Sequence, residues 1–270
     1  MLVSAVWVLL CAGLAAAAPE IYVGVVASET RPEYYRAQLD TFGKHIHLVE
    51  AFTEMHSQCS LCTDGIDWSH TDFFGKTLTF SNRPTGYYCG NKMHLQALRH
   101  WAVMHQDRRP DWFLLVDDDT YVNPPAIQRL LSRYNPDQAR IIGNPWGGGA
   151  GFAFSRGAVQ KLLAPMKLDR MRWDPSQREW VNSNNRTSTV LDVCISAQQT
   201  GVLCYAPADW ATAACARLAG VSLVTQRDKM QQDCTWQGGA VDAAWAASVG
   251  TCHHLSPEHM LQLYNGTPRR

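Results

Sequence analysis

The sequence predicts an α/β fold, with a mostly parallel mixed sheet flanked by helices. Three features carry that expectation. The runs "IYVGVV" (residues 21–26) and "WFLLV" (residues 112–116) are apolar, of strand length, and rich in β-branched or aromatic residues. Helix-length stretches with apolar residues at helical spacing lie between and after them. The two kinds of segment alternate, which is the pattern of layered α/β domains. At 270 residues and 46% apolar composition, the chain can bury a substantial core.

Taken in order, residues 21–26 read as a first buried strand. Pro32 at an early helical position, followed by Tyr34, Tyr35, Leu39 and Phe42, predicts a helix ended by Gly43. Residues 45–52 read as a second strand, and Thr63-Asp64-Gly65 marks a turn. Residues 91–105 form an amphipathic helix pattern that Pro110 closes, and residues 112–116 are a central strand. A helix over 124–134 has proline in its first turn. Strands at 140–142 and 151–154 flank a glycine-rich turn, and a helix over 156–163 stops at Pro165. Residues 167–185 are polar and read as an exposed insertion. Residues 189–200 read as a helix and 202–205 as a strand, whereas 206–250 show no legible pattern.

The 24 basic and 24 acidic residues balance to zero, which argues against a broad surface for nucleic acid or anionic membrane. The opening "MLVSAVWVLLCAGLAAAAPE" has the length and the small-residue ending of a secretory signal, so a signal peptide at 1–18 and one domain at 19–270 are expected. An uncleaved anchor is the competing reading, and no stable membrane span is expected after cleavage. Eight cysteines lie beyond that segment: Cys59, Cys62, Cys89, Cys194, Cys204, Cys215, Cys234 and Cys252. An even number on a secretory route predicts disulfides, with the pairing open. Cys59 and Cys62 form a lone C-x-x-C, which reads as disulfide halves rather than a zinc ribbon. Sequons at Asn185 and Asn265 fit the same route.

The run Trp112 to Val116 drives into Asp117, Asp118 and Asp119. Three adjacent carboxylates at a strand end repel one another unless water or a cation neutralises them, and an oxygen-rich set suits Mg²⁺ or Mn²⁺. On a strand, Asp117 and Asp119 share one side and Asp118 takes the other. A solvated acidic turn is the plain alternative.

"WFLLVDDDTYV" resembles the aspartate motif of Fringe-type and core 1-type β1,3-glycosyltransferases. Four further stretches resemble that family in the same order: "CTDGID" (62–67), "GGGAGFAFSRGAVQKL" (147–162), "LDVCIS" (191–196) and "CHHLSPEHM" (252–260). The resemblance implies a GT-A-type fold and an inverting transfer of GlcNAc or Gal from a UDP donor. The acceptor is a hydroxyl of a glycan or glycoprotein, with β1,3 linkage, in the secretory pathway. It implies Asp119 and His253 as ligands of Mn²⁺, with His254 one place out of register. Asp117, Asp118, Asp64, Gly148 and Gly149 face the nucleotide or donor sugar, and Asp192 acts as general base. Leu191 stands where the family carries the first of two acids, so a catalytically inactive binding module is the rival reading. Trp146 is either a sugar-stacking residue or a core residue, and Lys92 is read as surface-exposed.

Overall fold

The computed structural model describes residues 18–28, 30–46, 49–53, 69–71, 77–79, 85–107, 109–144, 148–166, 171–174, 179–182, 188–200, 206–232, 234 and 243–266. The first half runs β1 (Ile21–Ala27), α1 (Pro32–Asp40), β2 (Val49–Thr53), β3 (Ser69–Thr71), β4 (Thr77–Thr79), α2 (Thr85–Met104), β5 (Trp112–Asp117), β6 (Tyr121–Val122) and α3 (Pro124–Leu131). There follow β7 (Arg140–Gly143), β8 (Phe152–Ser155), α4 (Arg156–Leu162), β9 (Met171–Asp174), β10 (Glu179–Asn182), α5 (Val190–Thr200) and α6 (Ala208–Leu218). The chain continues through β11 (Ser222–Thr225), β12 (Met230–Gln231), α7 (Ala243–Ser248), β13 (Thr251–Cys252) and α8 (Pro257–Gly266).

Six strands form the main sheet in the order β11-β7-β8-β5-β1-β2. β11 pairs parallel with β7, and β5, β1 and β2 pair parallel with one another. β8 runs antiparallel to both of its neighbours, which makes the sheet mixed as expected. The central strands are apolar on both faces because both faces are covered. Ile21, Val23, Val25, Trp112, Leu114 and Val116 enter one core, beside Ile127, Leu131 and Met260. Tyr22, Val26, Phe113 and Leu115 enter the other, with Leu98, Trp101, Phe154 and Ala211. Trp101 stacks on Phe113 at 4.5 Å between ring centroids, fixing α2 against β5.

Several element boundaries differ from the sequence reading. α2 begins at Thr85, ahead of residue 91, and the 167–185 stretch contains the antiparallel pair β9–β10. The stretch from 206 to 250, without a legible pattern, contains α6, β11, β12 and α7. Disulfides join Cys194 to Cys215, stapling α5 to α6, and Cys234 to Cys252, anchoring β13. Residues 1–17, 59, 62, 202–205 and 185 lie outside the described residues, and with them the expected signal, the C-x-x-C, a strand and one sequon. Among the described residues no helix is long and apolar enough to cross a membrane.

The topology gathers several segments at one end of the sheet. β1 and β5 finish there side by side, with Val26 opposite Asp117. β8 runs the other way, so its start lies at the same end, with Phe152 opposite Leu115. The glycine stretch before β8 therefore reaches the aspartates. Ligands of open α/β sheets gather at such carboxyl ends.

Candidate active site

Strand alternation sorts the three aspartates. Asp117 continues the row of Phe113 and Leu115 toward α2, where His94 Nε2 donates to its Oδ1 at 2.8 Å. Asp118 turns toward α1: its Oδ2 accepts the Ser28 N–H at 3.0 Å, and Arg31 Nη2 lies 2.5 Å from its Oδ1. A buried glutamine on α1 fixes the turn between them. Gln38 Nε2 donates to the carbonyls of Asp117 (3.0 Å) and Thr120 (2.8 Å), so the strand end has satisfied backbone acceptors without a further strand.

Asp119 meets His253 through a second, three-stranded sheet of order β12-β13-β6. β6 and β13 are antiparallel, with Cys252 opposite Tyr121, so residues just before β6 face residues just after β13. The Leu255 N–H closes this corner on the Asp119 carbonyl at 3.0 Å. His253 Nε2 lies 2.9 Å from Asp119 Oδ1 and 3.7 Å from Asp117 Oδ2. One ligand atom from each of Asp117, Asp119 and His253 falls within 4.8 Å of the others.

These residues fit a divalent cation. Among the described residues, Asp119 Oδ1 is buried with no well-directed hydrogen bond, although His253 Nε2 lies 2.9 Å away. In an octahedral site with metal–oxygen bonds near 2.1 Å, adjacent ligand atoms sit about 3 Å apart. Gly149 supplies the space: a Cβ there would lie 2.1 Å from His253 Nε2 and 2.8 Å from Asp117 Oδ2. Its carbonyl is held by the Thr120 hydroxyl at 2.7 Å. Gly148 is also tightly placed, though less so, since its Cβ would approach Asp209 Cβ to 3.0 Å. The cleft around these groups measures about 650 Å³, and Arg31, Met93 and Trp210 also line it.

Burial and neighbouring charge oppose each other here. Burial pushes the Asp117 carboxyl up, but His94, His253 and Arg31 outweigh it and hold the group below the usual carboxylate range. Burial wins at Asp118, which rises to about 6 despite the Ser28 N–H and Arg31. Burial would lower the His253 imidazole, yet the carboxylates of Asp119 and Asp117 raise it.

The cleft contains one carboxylate that the sequence reading missed. Asp209, in the first turn of α6, is 8% exposed and lines the cleft. Burial lifts its carboxyl to about 6, against the pull of the Trp210 N–H donated at 3.0 Å. Asp192 is differently engaged. Its Oδ2 accepts the Thr189 N–H (3.2 Å) and hydroxyl (2.8 Å), and its own N–H returns to Thr189 Oγ1, a reciprocal helix-capping arrangement. Arg99 Nε pairs with Asp192 Oδ1 at 2.9 Å, and Asp192 is not among the residues lining the cleft. An acid opens both helices, so the readable signal for Asp209 was a lone first-turn aspartate after Pro207.

The remaining predicted residues divide. Gly148 and Gly149 line the cleft, as do Asp117, Asp118, Asp119, His253 and His254. His254 has a left-handed backbone (φ 61°), and its ring lies 3.9 Å from that of His253 between centroids. Lys92 is buried, at 3% exposure, contrary to the surface position expected. Asp64 and Trp146 lie outside the described residues.

Fold and site together define a class: a mixed α/β protein with an aspartate–histidine cluster at the strand ends that could hold a cation. Residues 76–146 match the Fringe-like family model, a segment that holds the three aspartates and His94. The chain is 29% identical over 166 residues to mouse (Mus musculus) β-1,3-N-acetylglucosaminyltransferase lunatic fringe, covering 51% of this chain and 40% of that protein. It is 31% identical over 134 residues to human (Homo sapiens) β-1,3-glucosyltransferase, covering 45% of this chain and 26% of the relative. The chain thus spans less than half the length of these curated relatives. A solved structure of a glycosyltransferase involved in glycosylation of the major capsid of PBCV-1 superposes with a TM-score of 0.47 at 12% identity, covering 89% of this chain and 99% of that one.

Proposed function

We propose that the protein is a Fringe-like glycosyltransferase of GT-A type, working in the secretory pathway. It transfers GlcNAc or Gal from a UDP donor to a glycan or glycoprotein hydroxyl, with inversion and a β1,3 linkage. The observation that carries this reading is the meeting of Asp117, Asp119 and His253 in one cleft, around a space that only glycine at 149 leaves open.

Asp119, His253 and Asp117 hold the cation, and their mixed oxygen and imidazole set favours Mn²⁺ over Mg²⁺. A cation held there would supply positive charge to offset that of a departing diphosphate. The backbone of Gly148 and Gly149 passes beneath the donor sugar. Asp118, Arg31 and Ser28 line the nucleotide side, and Asp64 is proposed for the same side.

The acceptor hydroxyl is a poor nucleophile and needs a base within reach. We assign that role to Asp209 in place of Asp192, because Asp209 faces the cleft while both oxygens of Asp192 are engaged by Thr189 and Arg99. The acceptor oxygen forms a bond to the anomeric carbon as the bond to the diphosphate oxygen breaks. The hydroxyl proton passes to the Asp209 carboxylate. With Asp209 as base, the enzyme reading does not depend on the acid that Leu191 replaces.

UDP release tests the reading directly. Purified protein with UDP-GlcNAc, UDP-Gal or UDP-Glc should release UDP with Mn²⁺, stop with EDTA, and resume when Mn²⁺ is restored. No release with any of the three donors sinks the proposal.

A further inference from the structure

His94 is absent from the family segments that pointed to the site, yet it is built into it. It is 3% exposed on the inner face of α2, and its Nε2 lies 2.8 Å from Asp117 Oδ1. An ionised carboxylate only accepts, so Nε2 carries the proton. Among the described residues, His94 Nδ1 is buried without a hydrogen-bond partner, leaving the Asp117 contact as the imidazole's directional bond. With Oδ1 engaged, Asp117 presents Oδ2 to His253 Nε2 and to the space beside Gly149.

Three residues earlier on the same helix, Asn91 Oδ1 accepts the Ala208 N–H at 2.9 Å. Ala208 opens α6 and precedes Asp209. Residues three apart lie on one helix face. A single face of α2 therefore grips both the strand end bearing Asp117 and the helix start bearing Asp209.

We propose that His94 is a positioning residue that fixes Asp117 as a cation ligand, with Asn91 setting Asp209 at a constant offset from it. The inference rests on the cation site of the proposed function. A ligand whose far oxygen is held loses little rotamer freedom on binding metal, and such outer partners are worth about 10–100-fold in affinity.

Mn²⁺ alone is the probe, titrated into the whole protein while free Mn²⁺ is followed by electron paramagnetic resonance. His94→Leu keeps the core filled and removes the donor; it should weaken binding about 10–100-fold. His94→Gln, which returns an N–H near the same place, should recover most of that loss. Asn91→Ala should leave Mn²⁺ affinity within about twofold, because it loosens α6 rather than Asp117, whereas general damage to α2 would weaken both variants alike. A second measurement needs no variant: the ¹⁵N signals of His94 in wild-type protein should report the Nε2–H tautomer, with and without Mg²⁺. Unchanged affinity in His94→Leu, no recovery in His94→Gln, or a Nδ1–H tautomer each overturns the inference alone. Wild-type protein that binds no Mn²⁺ overturns the cation site and the inference together.

Discussion

Asp192 and Asp209 each sit in the first turn of a helix, yet their surroundings give them different work. Asp192→Ala removes the acceptor of the Thr189 bonds and should cost about 1 kcal/mol in denaturant unfolding while leaving UDP release near wild type. Asp209→Asn should lower turnover by about 10²–10⁴-fold with Mn²⁺-dependent UDP binding retained. Its effect on stability runs the other way. The folded Asp209 carboxyl rises to about 6 through burial, above its unfolded value, so the native state binds more protons between about pH 4 and 6. Stability from this group is fully present below that window and is lost as pH rises through it. Asp209→Asn should flatten that slope and raise the unfolding midpoint at pH 7, as measured by urea titrations at several pH values. Asp118, also near 6, keeps part of the slope in the variant. Gly149→Ala puts a methyl group 2.1 Å from His253 Nε2 and should abolish Mn²⁺ binding, read by the same resonance titration.

The elements show why some of this was readable in the sequence and some was not. β1 and β5 were legible because strands buried on both faces become unbroken apolar runs. His253 was legible because a motif marks it, although only the pairing of β6 with β13 explains how it reaches residue 119. α6 was not legible. It is rich in alanine, so its buried and exposed sides differ little in apolarity, and β11 is a short edge strand with mostly exposed residues. Asp209 was hidden with its helix. Gln38 looked like any polar residue on an amphipathic helix, yet it is fully buried and holds two carbonyls of the aspartate turn. Gln38→Leu leaves those carbonyls without their donor. It should cost about 1–3 kcal/mol in urea unfolding at unchanged m-value, and weaken Mn²⁺ binding as the turn loosens.

At the scale of the molecule, two cores lie on opposite faces of one sheet, and the proposed cation site lies at the sheet's end. The site draws ligands from β5, from the turn after it and from the loop after β13, so a cation that binds only the folded chain must stabilise all three. At a free Mn²⁺ concentration 100 times its dissociation constant, the gain is about 2.7 kcal/mol. A thermal scan should show a higher midpoint with Mn²⁺ and its return on adding EDTA. The mixed α/β class followed from alternating segments alone, but the antiparallel insertion of β8 did not. Its sequence reads like any buried strand, and only pairing with β5 and β7 sets its direction.

The short β12-β13-β6 sheet, tied at Cys234–Cys252, also orders events during synthesis. The aspartates leave the ribosome after His94 but long before residue 253 exists, so until β13 docks Asp119 is without the imidazole beside it. In the proposed reading, capture of a cation would be a late step, since His253 joins Asp117 and Asp119 only once β13 has paired with β6.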